Sequence, residues 1–173
     1  MIDLYEPQNE RPDWKEIVKI VPAGTRVLDL GCGNGQLLSL LLKQKAAHAR
    51  GVEKDEQKVR NCQERGLPVK RGDVEQGLSD YTDRAFEFVI LNRGLNDPQV
   101  SLPVLNEMLR VARFGIVSFQ RVISLIQFRK TVSKLGYYIE RSIFLKGSRR
   151  IYFLPGLRAE TAILVIGGHG THA

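Results

Sequence analysis

The chain has 173 residues, of which 43% are hydrophobic and 26% are charged, a composition typical of a globular protein with one hydrophobic core. The amino-terminal residues are polar and acidic, and no apolar stretch approaches about eighteen residues, so we expect neither a secretory signal nor a membrane span. We therefore expect a single domain, residues 1–173, in the cytoplasm. Cys32, Cys62 and the three histidines have no spacing typical of a metal site or a disulfide framework, so we expect no bound metal.

The net charge of +7 is distributed unevenly along the chain. Between Arg110 and Arg158 there are eleven lysines and arginines but a single acidic residue, Glu140. A segment of this kind attracts nucleic acid, an acidic protein or an anionic substrate, although most such runs are simply solvated surface.

The first two thirds of the chain alternate strand and helix patterns, as stacked β-α units do. Asp55 is the expected N-cap of one helix and Gly66 its expected end. In chain order we predict a helix at 13–21, a strand at 25–30, a helix at 36–43, a strand at 48–53, a helix at 56–65, strands at 67–70 and 86–91, a helix at 102–111 and a strand at 115–119.

The last third of the chain predicts a helix and then two strands. Apolar residues recur at helical spacing from Leu125 to Leu135, and Gly136 ends that helix. Strand patterns follow at 137–145 and 161–166, separated by a long basic loop rather than by a helix. Because a parallel connection needs a crossover, we expect the sheet to end in an antiparallel pair.

Three glycines, Gly31, Gly33 and Gly35, follow the first buried strand in the segment RVLDLGCGNGQLL. Their spacing permits positive φ angles and lets a ligand lie against main chain where a Cβ atom would collide. A dinucleotide fingerprint needs glycine where Gln36 stands, and no Gly-Lys-Ser/Thr triplet ends a phosphate-binding loop. The loop therefore indicates a ligand site at the carboxyl end of a parallel strand, for a ligand other than a nucleotide phosphate.

Three acids follow or end the first three strands: Asp29, Glu53 and Asp73. A lone buried carboxylate is costly, so Asp29 needs either a cationic or amine-bearing ligand or main-chain N–H groups of its own loop. Glu53 stands 22 residues after Gly31, where a carboxylate can accept both ribose hydroxyls, and Asp73 is placed to accept from an adenine amine. Amine, ribose and adenine without phosphates describe S-adenosylmethionine.

The segments RVLDLGCGNGQLL, GVEKD, GDVEQGL and FEFVILN resemble, in order and spacing, the nucleotide-binding motifs of class I S-adenosylmethionine-dependent methyltransferases. More narrowly, IVPAGTRVLDLGCGNG, VKRGDVEQGLSDYTDRAFEFVIL, NEMLRVARFGIVSF and RRIYFLPGLRAETAI resemble the methionine biosynthesis protein W (MetW) family, over about residues 17–168. The resemblance implies an α/β fold: a doubly wound, Rossmann-like three-layer α/β/α sandwich with a seven-stranded, mostly parallel sheet whose last strand is antiparallel.

The same resemblance implies a bound cofactor, S-adenosylmethionine or S-adenosylhomocysteine, and a role in methionine synthesis through association with a homoserine O-acyltransferase. It indicates no methyl acceptor. Cys32, within the loop, is expected to fill space rather than to act as a nucleophile. The residues that we expect to contact the cofactor are Asp29, Gly31, Cys32, Gly33, Gly35, Glu53, Lys54, Asp73, Val74 and Asn92.

Two departures from the family pattern concern the side where an acceptor would bind. Asn92-Arg93-Gly94 stands in place of a Ser-Gln-Thr-like stretch, and the chain passes almost directly from Phe119 to the helix at Ile123, without the family's longer Trp-Tyr-Asp excursion. Methyl transfer depends mainly on alignment, so it needs no dedicated acid or base. Asn92 and Arg93 are the catalytic candidates, with a strand-capping role as the alternative for Asn92.

Three functions are compatible with this sequence. The chain is a cofactor-binding partner of an acyltransferase, a small-molecule methyltransferase, or an RNA methyltransferase that uses its basic carboxyl-terminal third. RNA ranks third because the chain has no separate RNA-binding module. The residues that RNA would contact are Arg141, Lys146, Arg149 and Arg150 through phosphates, and Tyr137, Tyr138 and Tyr152 through stacking.

Overall fold

The computed structural model describes residues 11–76, 78–92, 102–119, 123–151 and 160–167. The helices are α1 (Pro12–Ile20), α2 (Gln36–Lys45), α3 (Glu56–Glu64), α4 (Leu102–Val111) and α5 (Ile123–Lys134). The strands are β1 (Arg26–Leu30), β2 (His48–Glu53), β3 (Val69–Arg71), β4 (Phe86–Asn92), β5 (Ala112–Phe119), β6 (Tyr138–Lys146), β7 (Arg149–Arg150) and β8 (Thr161–Gly167). Among these helices none is long and apolar enough to cross a membrane.

The strands form one sheet in the order β3-β2-β1-β4-β5-β8-β6-β7. Strands β1 to β5 are parallel, whereas β8 runs antiparallel between β5 and β6. The chain builds outward from β1 in one direction and then returns to place β4 on the other side of β1, so a topological switch point lies between β1 and β4. The doubly wound fold with an antiparallel last strand is confirmed, as is the antiparallel pair of β6 and β8.

Two hydrophobic clusters cover the two faces of the sheet. One contains residues of α1, α2 and α3 packed on the strands, and the other contains residues of α4 and α5. Because both faces are covered, β1 has an almost continuous run of buried residues, as central parallel strands do. The helix N-cap is also as predicted: the Asp55 side chain accepts from the N–H groups of Gln57 and Lys58, at 2.9 and 3.2 Å.

The structure corrects the predicted number of strands and two predicted boundaries. The sheet has eight strands rather than seven, because Arg149–Arg150 within the predicted basic loop pairs with Leu145 and Lys146 as β7. Strand β5 starts at Ala112, three residues early, because α4 leads directly into it. Helix α2 continues to Lys45 and ends where Ala46 takes a positive φ of 45°.

Candidate functional site

A cavity opens beside the carboxyl ends of β1 and β4, at the switch point of the sheet. It contains about 420 Å³ of space between the atoms, part of which is open to solvent. The lining comes from the start of α1, the loop after β1, the start of α2 and the end of β4. The lining residues are Arg11, Trp14, Asp29, Gly31, Cys32, Gly33, Gln36, Leu37 and Asn92.

The three glycines of the loop have different surroundings, so glycine is required for different reasons at these positions. Gly31, Gly33 and Gly35 all have positive φ angles, of 64°, 59° and 73°. A Cβ atom at Gly31 or Gly33 would meet nothing within 4 Å, so these two positions leave the main chain open. At Gly35 a Cβ atom would lie 2.6 Å from Cδ1 of buried Leu67 and 3.1 Å from Sγ of Cys62. Gly35 therefore serves close packing and the other two leave room for a ligand.

Glu53, at the end of β2, holds the glycine loop in place. Its Oε2 accepts from the Gly33 N–H at 2.8 Å, and its Oε1 accepts from the Asp55 N–H at 3.0 Å. The residue is 7% exposed. A carboxylate offers about four accepting positions, and the described main-chain N–H groups fill two of them on Glu53. The loop-ordering role that the sequence left open for Asp29 is thus carried out by Glu53.

Asp29 is a buried acid without compensation. It is 2% exposed, and no described residue donates a hydrogen bond to its carboxylate. Burial, and secondarily the nearby charge of Glu53, raises the pKa of Asp29 to about 7. A cationic group placed in the cavity would reverse this shift and stabilise the carboxylate.

The end of β4 is joined to the start of α1 by a polar cluster. Asn92 Oδ1 accepts from Nη2 of Arg11 at 3.0 Å and from the Ser118 hydroxyl at 2.8 Å. Arg11 also pairs with buried Asp13 and lies 4.5 Å from the ring centroid of Trp14. Because a guanidinium only donates, Oδ1 is the Asn92 atom that faces it, and the buried Nδ2 has no partner in the described parts of the chain.

The sequence analysis did not identify the contribution of α1 to this site. The signal available was weak: Trp14 is the only tryptophan of the chain, and it follows Arg11 and a proline at a helix start. Nothing in local sequence connects Arg11 to Asn92, 81 residues away.

The cavity gathers only part of the predicted set: Asp29, Gly31, Cys32, Gly33 and Asn92 line it. The other five predicted residues lie outside the lining: Gly35, Glu53, Lys54, Asp73 and Val74. Lys54 is exposed, and Asp73 and Val74 are half-buried beyond β3. Asp73 Oδ1 accepts from the Glu75 N–H at 3.0 Å, which orders the turn there. Arg93 lies outside the described residues.

One thiol, Cys32, belongs to the glycine loop, and the other, Cys62, packs against it. Cys62 Sγ lies 3.5 Å from the Gly33 carbonyl oxygen, and Cys32 Sγ would be 2.7 Å from a Cβ atom at Gly51. Burial is the main cause that raises the pKa of both thiols. They therefore stay protonated, which suits small space-filling side chains rather than nucleophiles.

The basic carboxyl-terminal third is partly neutralised within the fold. Arg150 pairs with buried Glu16 of α1, and Arg110 binds Glu107 and Asp83. Arg141, Lys146 and Arg149 are exposed. Arg110 and Arg150 are thus engaged in ion pairs within the fold, which leaves fewer cations to bind the phosphates of a nucleic acid.

Comparison with known sequences gives two matches. Residues 11–145 match the family described as "Methionine biosynthesis protein MetW". The "Bifunctional methionine biosynthesis protein MetXA/MetW" of Rhodopirellula baltica is 39% identical over 115 residues. The aligned region is 62% of this chain but 18% of that protein, so the chain spans less than a fifth of the relative's length.

Comparison with solved structures shows the fold. A TehB-like SAM-dependent methyltransferase from Corynebacterium glutamicum aligns with a TM-score of 0.72 at 16% identity, covering 92% of this chain and 88% of that one. A SAM-dependent methyltransferase from Archaeoglobus fulgidus aligns with a TM-score of 0.71 at 15% identity, covering 90% and 91%. The chain therefore shares the fold of these two SAM-dependent methyltransferases.

Proposed function

The chain belongs to the MetW family of methionine biosynthesis proteins, and on that premise we propose that it binds S-adenosylmethionine or S-adenosylhomocysteine at the cavity beside β1 and β4. We further propose that it acts in methionine biosynthesis together with a homoserine O-acyltransferase.

The observation that carries the cofactor proposal is the uncompensated acid Asp29 in the cavity wall. The carboxylate is 2% exposed and receives no hydrogen bond from the described residues, so its ionised form needs a positive partner. The amino group of the methionine part of the cofactor is such a partner, and the sulfonium is a second positive charge. The first turn of α2, capped only by Gly35, presents main-chain N–H groups that suit the ligand's carboxylate.

Glu53 and Asp73 support the adenosine part of the proposal. The Glu53 carboxylate suits the two ribose hydroxyls, because it offers about four accepting positions and the described main-chain N–H groups fill two. Asp73 and Val74 lie in the next turn along the sheet edge, where the adenine would extend beyond the cavity. Gly31 and Gly33, open where a side chain would stand, allow the ligand to approach the main chain.

The partner proposal is supported by the Rhodopirellula baltica relative, whose name joins MetXA and MetW in one protein. Two units fused in one chain in one organism are candidates for association as separate chains in another. We propose that the partner of this chain is the acyltransferase that activates homoserine.

A small-molecule methyltransferase is the second candidate, and one observation favours it. The buried Nδ2 of Asn92 lacks a partner in the described structure at the end of β4, beside the cavity. A buried donor without an acceptor is costly, and a bound acceptor molecule with a carbonyl or carboxylate oxygen would satisfy it.

Calorimetric titration with S-adenosylmethionine and S-adenosylhomocysteine tests the cofactor proposal. We expect binding by the wild type and a loss of about 2–4 kcal/mol in Glu53→Ala, because the ribose loses two hydrogen bonds to a charged acceptor. Glu64→Ala is the matched control, since Glu64 is an exposed residue at the end of α3. It should bind like the wild type.

The same titration contradicts the proposal if Glu53→Ala binds as tightly as Glu64→Ala, because the ribose would then lie elsewhere. Thermal unfolding of both variants separates lost contacts from a lost loop, since Glu53 also holds the Gly33 N–H. The partner proposal is tested separately, by co-purification of the chain with a homoserine O-acyltransferase from the same genome.

A further inference from the structure

A second groove lies on the sheet face that carries α1, towards the amino ends of the parallel strands. It contains about 350 Å³ of open space. Its walls come from the end of α1 and from strands β4, β5, β6 and β8. The lining residues are Ile20, Phe88, Phe114, Glu140, Arg141 and Val165.

An aromatic row crosses four strands at this groove. Phe88 pairs in register with Phe114, Phe114 with Gly167, and Gly167 with Tyr138. Residues opposite one another on neighbouring strands share a face, so all these side chains project towards α1's side of the sheet. The Phe88 and Phe114 rings are stacked with centroids 5.4 Å apart. Tyr138 occupies the space above Gly167, where a Cβ atom would meet its ring at 2.3 Å.

Helix α1 leaves this row partly uncovered. It ends at Ile20, which is itself only half-buried. Tyr138 is 44% exposed and is the large hydrophobic residue that stands out to solvent in the described structure. Here exposed Tyr138 continues a row that contains half-buried Phe114, and aromatic residues are enriched at protein interfaces.

Two arginines flank the aromatic row. The Arg113 guanidinium lies 5.1 Å from the ring centroid of Phe114, and Arg141 lines the groove itself. Both are exposed, and no described carboxylate pairs with either. Glu140 lies on the same rim, so the three charges leave a net positive groove. Tyrosine and arginine are both enriched among the residues that dominate binding at interfaces.

We infer that this groove is the surface on which the homoserine O-acyltransferase docks, with an apolar partner side chain against Phe114 and Tyr138 and partner carboxylates at Arg113 and Arg141. The inference rests on the association proposed above and adds its location. Charge complementarity requires an acidic contact patch on the acyltransferase. The cofactor cavity lies at the opposite ends of the strands, so a docked partner leaves it open.

Binding measurements between this 173-residue chain and the acyltransferase of the same genome test the location. Arg141→Glu reverses one flanking charge, and Tyr138→Ser removes the exposed ring. The matched control is Lys130→Glu, which makes the same change in net charge at an exposed position of α5, on the other face of the sheet. We expect each groove variant to weaken binding by about tenfold or more, and Lys130→Glu to bind within about twofold of the wild type.

Other outcomes overturn the inference. If the wild type and Arg141→Glu bind the acyltransferase equally well, the partner docks elsewhere. If Lys130→Glu weakens binding as much as Arg141→Glu does, the effect comes from the change in net charge and not from the groove. RNA binding that Arg141→Glu abolishes, with acyltransferase binding intact, assigns the groove to nucleic acid. If the wild type does not bind the acyltransferase, the proposed association fails as well, whereas titration with S-adenosylhomocysteine tests the cofactor proposal independently.

Discussion

Two carboxyl groups lie on neighbouring strands, near opposite ends of those strands, and their pKa values are shifted in opposite directions. Asp29 near the carboxyl end of β1 is buried without a described hydrogen-bond donor, and its pKa is raised to about 7. Glu87 near the amino end of β4 accepts from the Arg26 side chain and from the Arg26 N–H at 2.7 Å. These contacts lower the pKa of Glu87 to about 2.

The difference shows which of the two carboxyl groups lacks a partner among the described residues. At the amino end, the acid and its arginine satisfy each other in the folded chain. At the carboxyl end, the fold buries Asp29 without an ion pair from the described residues, because Arg11 in the same cavity pairs with Asp13 instead. Such burial is costly unless a ligand completes the site. A buried acid in a cavity without an ion-pair partner is therefore a candidate contact for a ligand.

The largest expected loss of stability comes from a substitution in the glycine loop that follows Asp29. Gly35→Ala should lower the free energy of unfolding by about 3 kcal/mol, because its φ of 73° is strained for alanine and its Cβ atom would strike buried Leu67 at 2.6 Å. Gly33→Ala is the matched control, since its φ is also positive but its Cβ atom has open space. It should cost only about 1 kcal/mol of strain. Urea unfolding of both variants measures the difference.

A similar loss in the two alanine variants would show that Leu67 yields and that backbone strain alone matters. Ligand titration adds a second readout. Gly33→Ala should fold but lose affinity, because its new methyl group occupies the space that we assign to the cofactor.

Asp29→Asn removes the titrating carboxyl group of Asp29 without changing the shape of the side chain. The folded pKa of Asp29, about 7, lies above its unfolded value of about 4, so between these values the folded chain keeps a proton that the unfolded chain has released. Stability therefore falls as pH rises through this window. Without ligand, the wild type should lose about 2 kcal/mol relative to Asp29→Asn between pH 5 and pH 8.

Urea unfolding of both proteins at several pH values checks this loss. Parallel stability profiles for wild type and Asp29→Asn would mean that Asp29 is compensated in the folded chain. The contrast with Glu87 would then disappear.

The sequence was sufficient for the features that depend on local pattern. The strand, glycine loop and helix around Gly31, and the acids that end the next strands, follow from spacing alone, because parallel strands bring their carboxyl ends together. It was insufficient where distant residues meet. The contact between Arg11 and Asn92, and the hold of Glu53 on the Gly33 N–H, join segments whose relative placement only tertiary packing determines.

Cofactor affinity should also sense the charge of Asp29. A cationic ligand prefers the ionised carboxylate, so affinity for S-adenosylmethionine should rise about tenfold from pH 6 to pH 8 as Asp29 loses its proton. Calorimetry in two buffers of different ionisation enthalpy should also detect the released proton. 5′-Methylthioadenosine, which lacks both the amino group and the sulfonium, is the matched ligand and should show no such rise. An equal pH dependence for both ligands would separate Asp29 from the amino-acid end of the cofactor.

Glu87→Gln should give the smallest effect, because this acid and its arginine lie at the exposed end of the sheet. The side chains of Arg26 and Glu87 are 54% and 36% exposed, so solvent and salt screen their attraction. We expect Tm to fall by no more than about 2 °C at pH 7 and low salt, and the difference from wild type to shrink in high salt. The sign with pH is opposite to that of Asp29: the folded pKa of Glu87 lies below its unfolded value, so its contribution is present at neutral pH and is lost as pH falls towards 2. Thermal unfolding at pH 7 and pH 3 measures it, and a decrease in Tm as large as that caused by Gly35→Ala would show that the amino end depends on this pair as strongly as the carboxyl end depends on its loop.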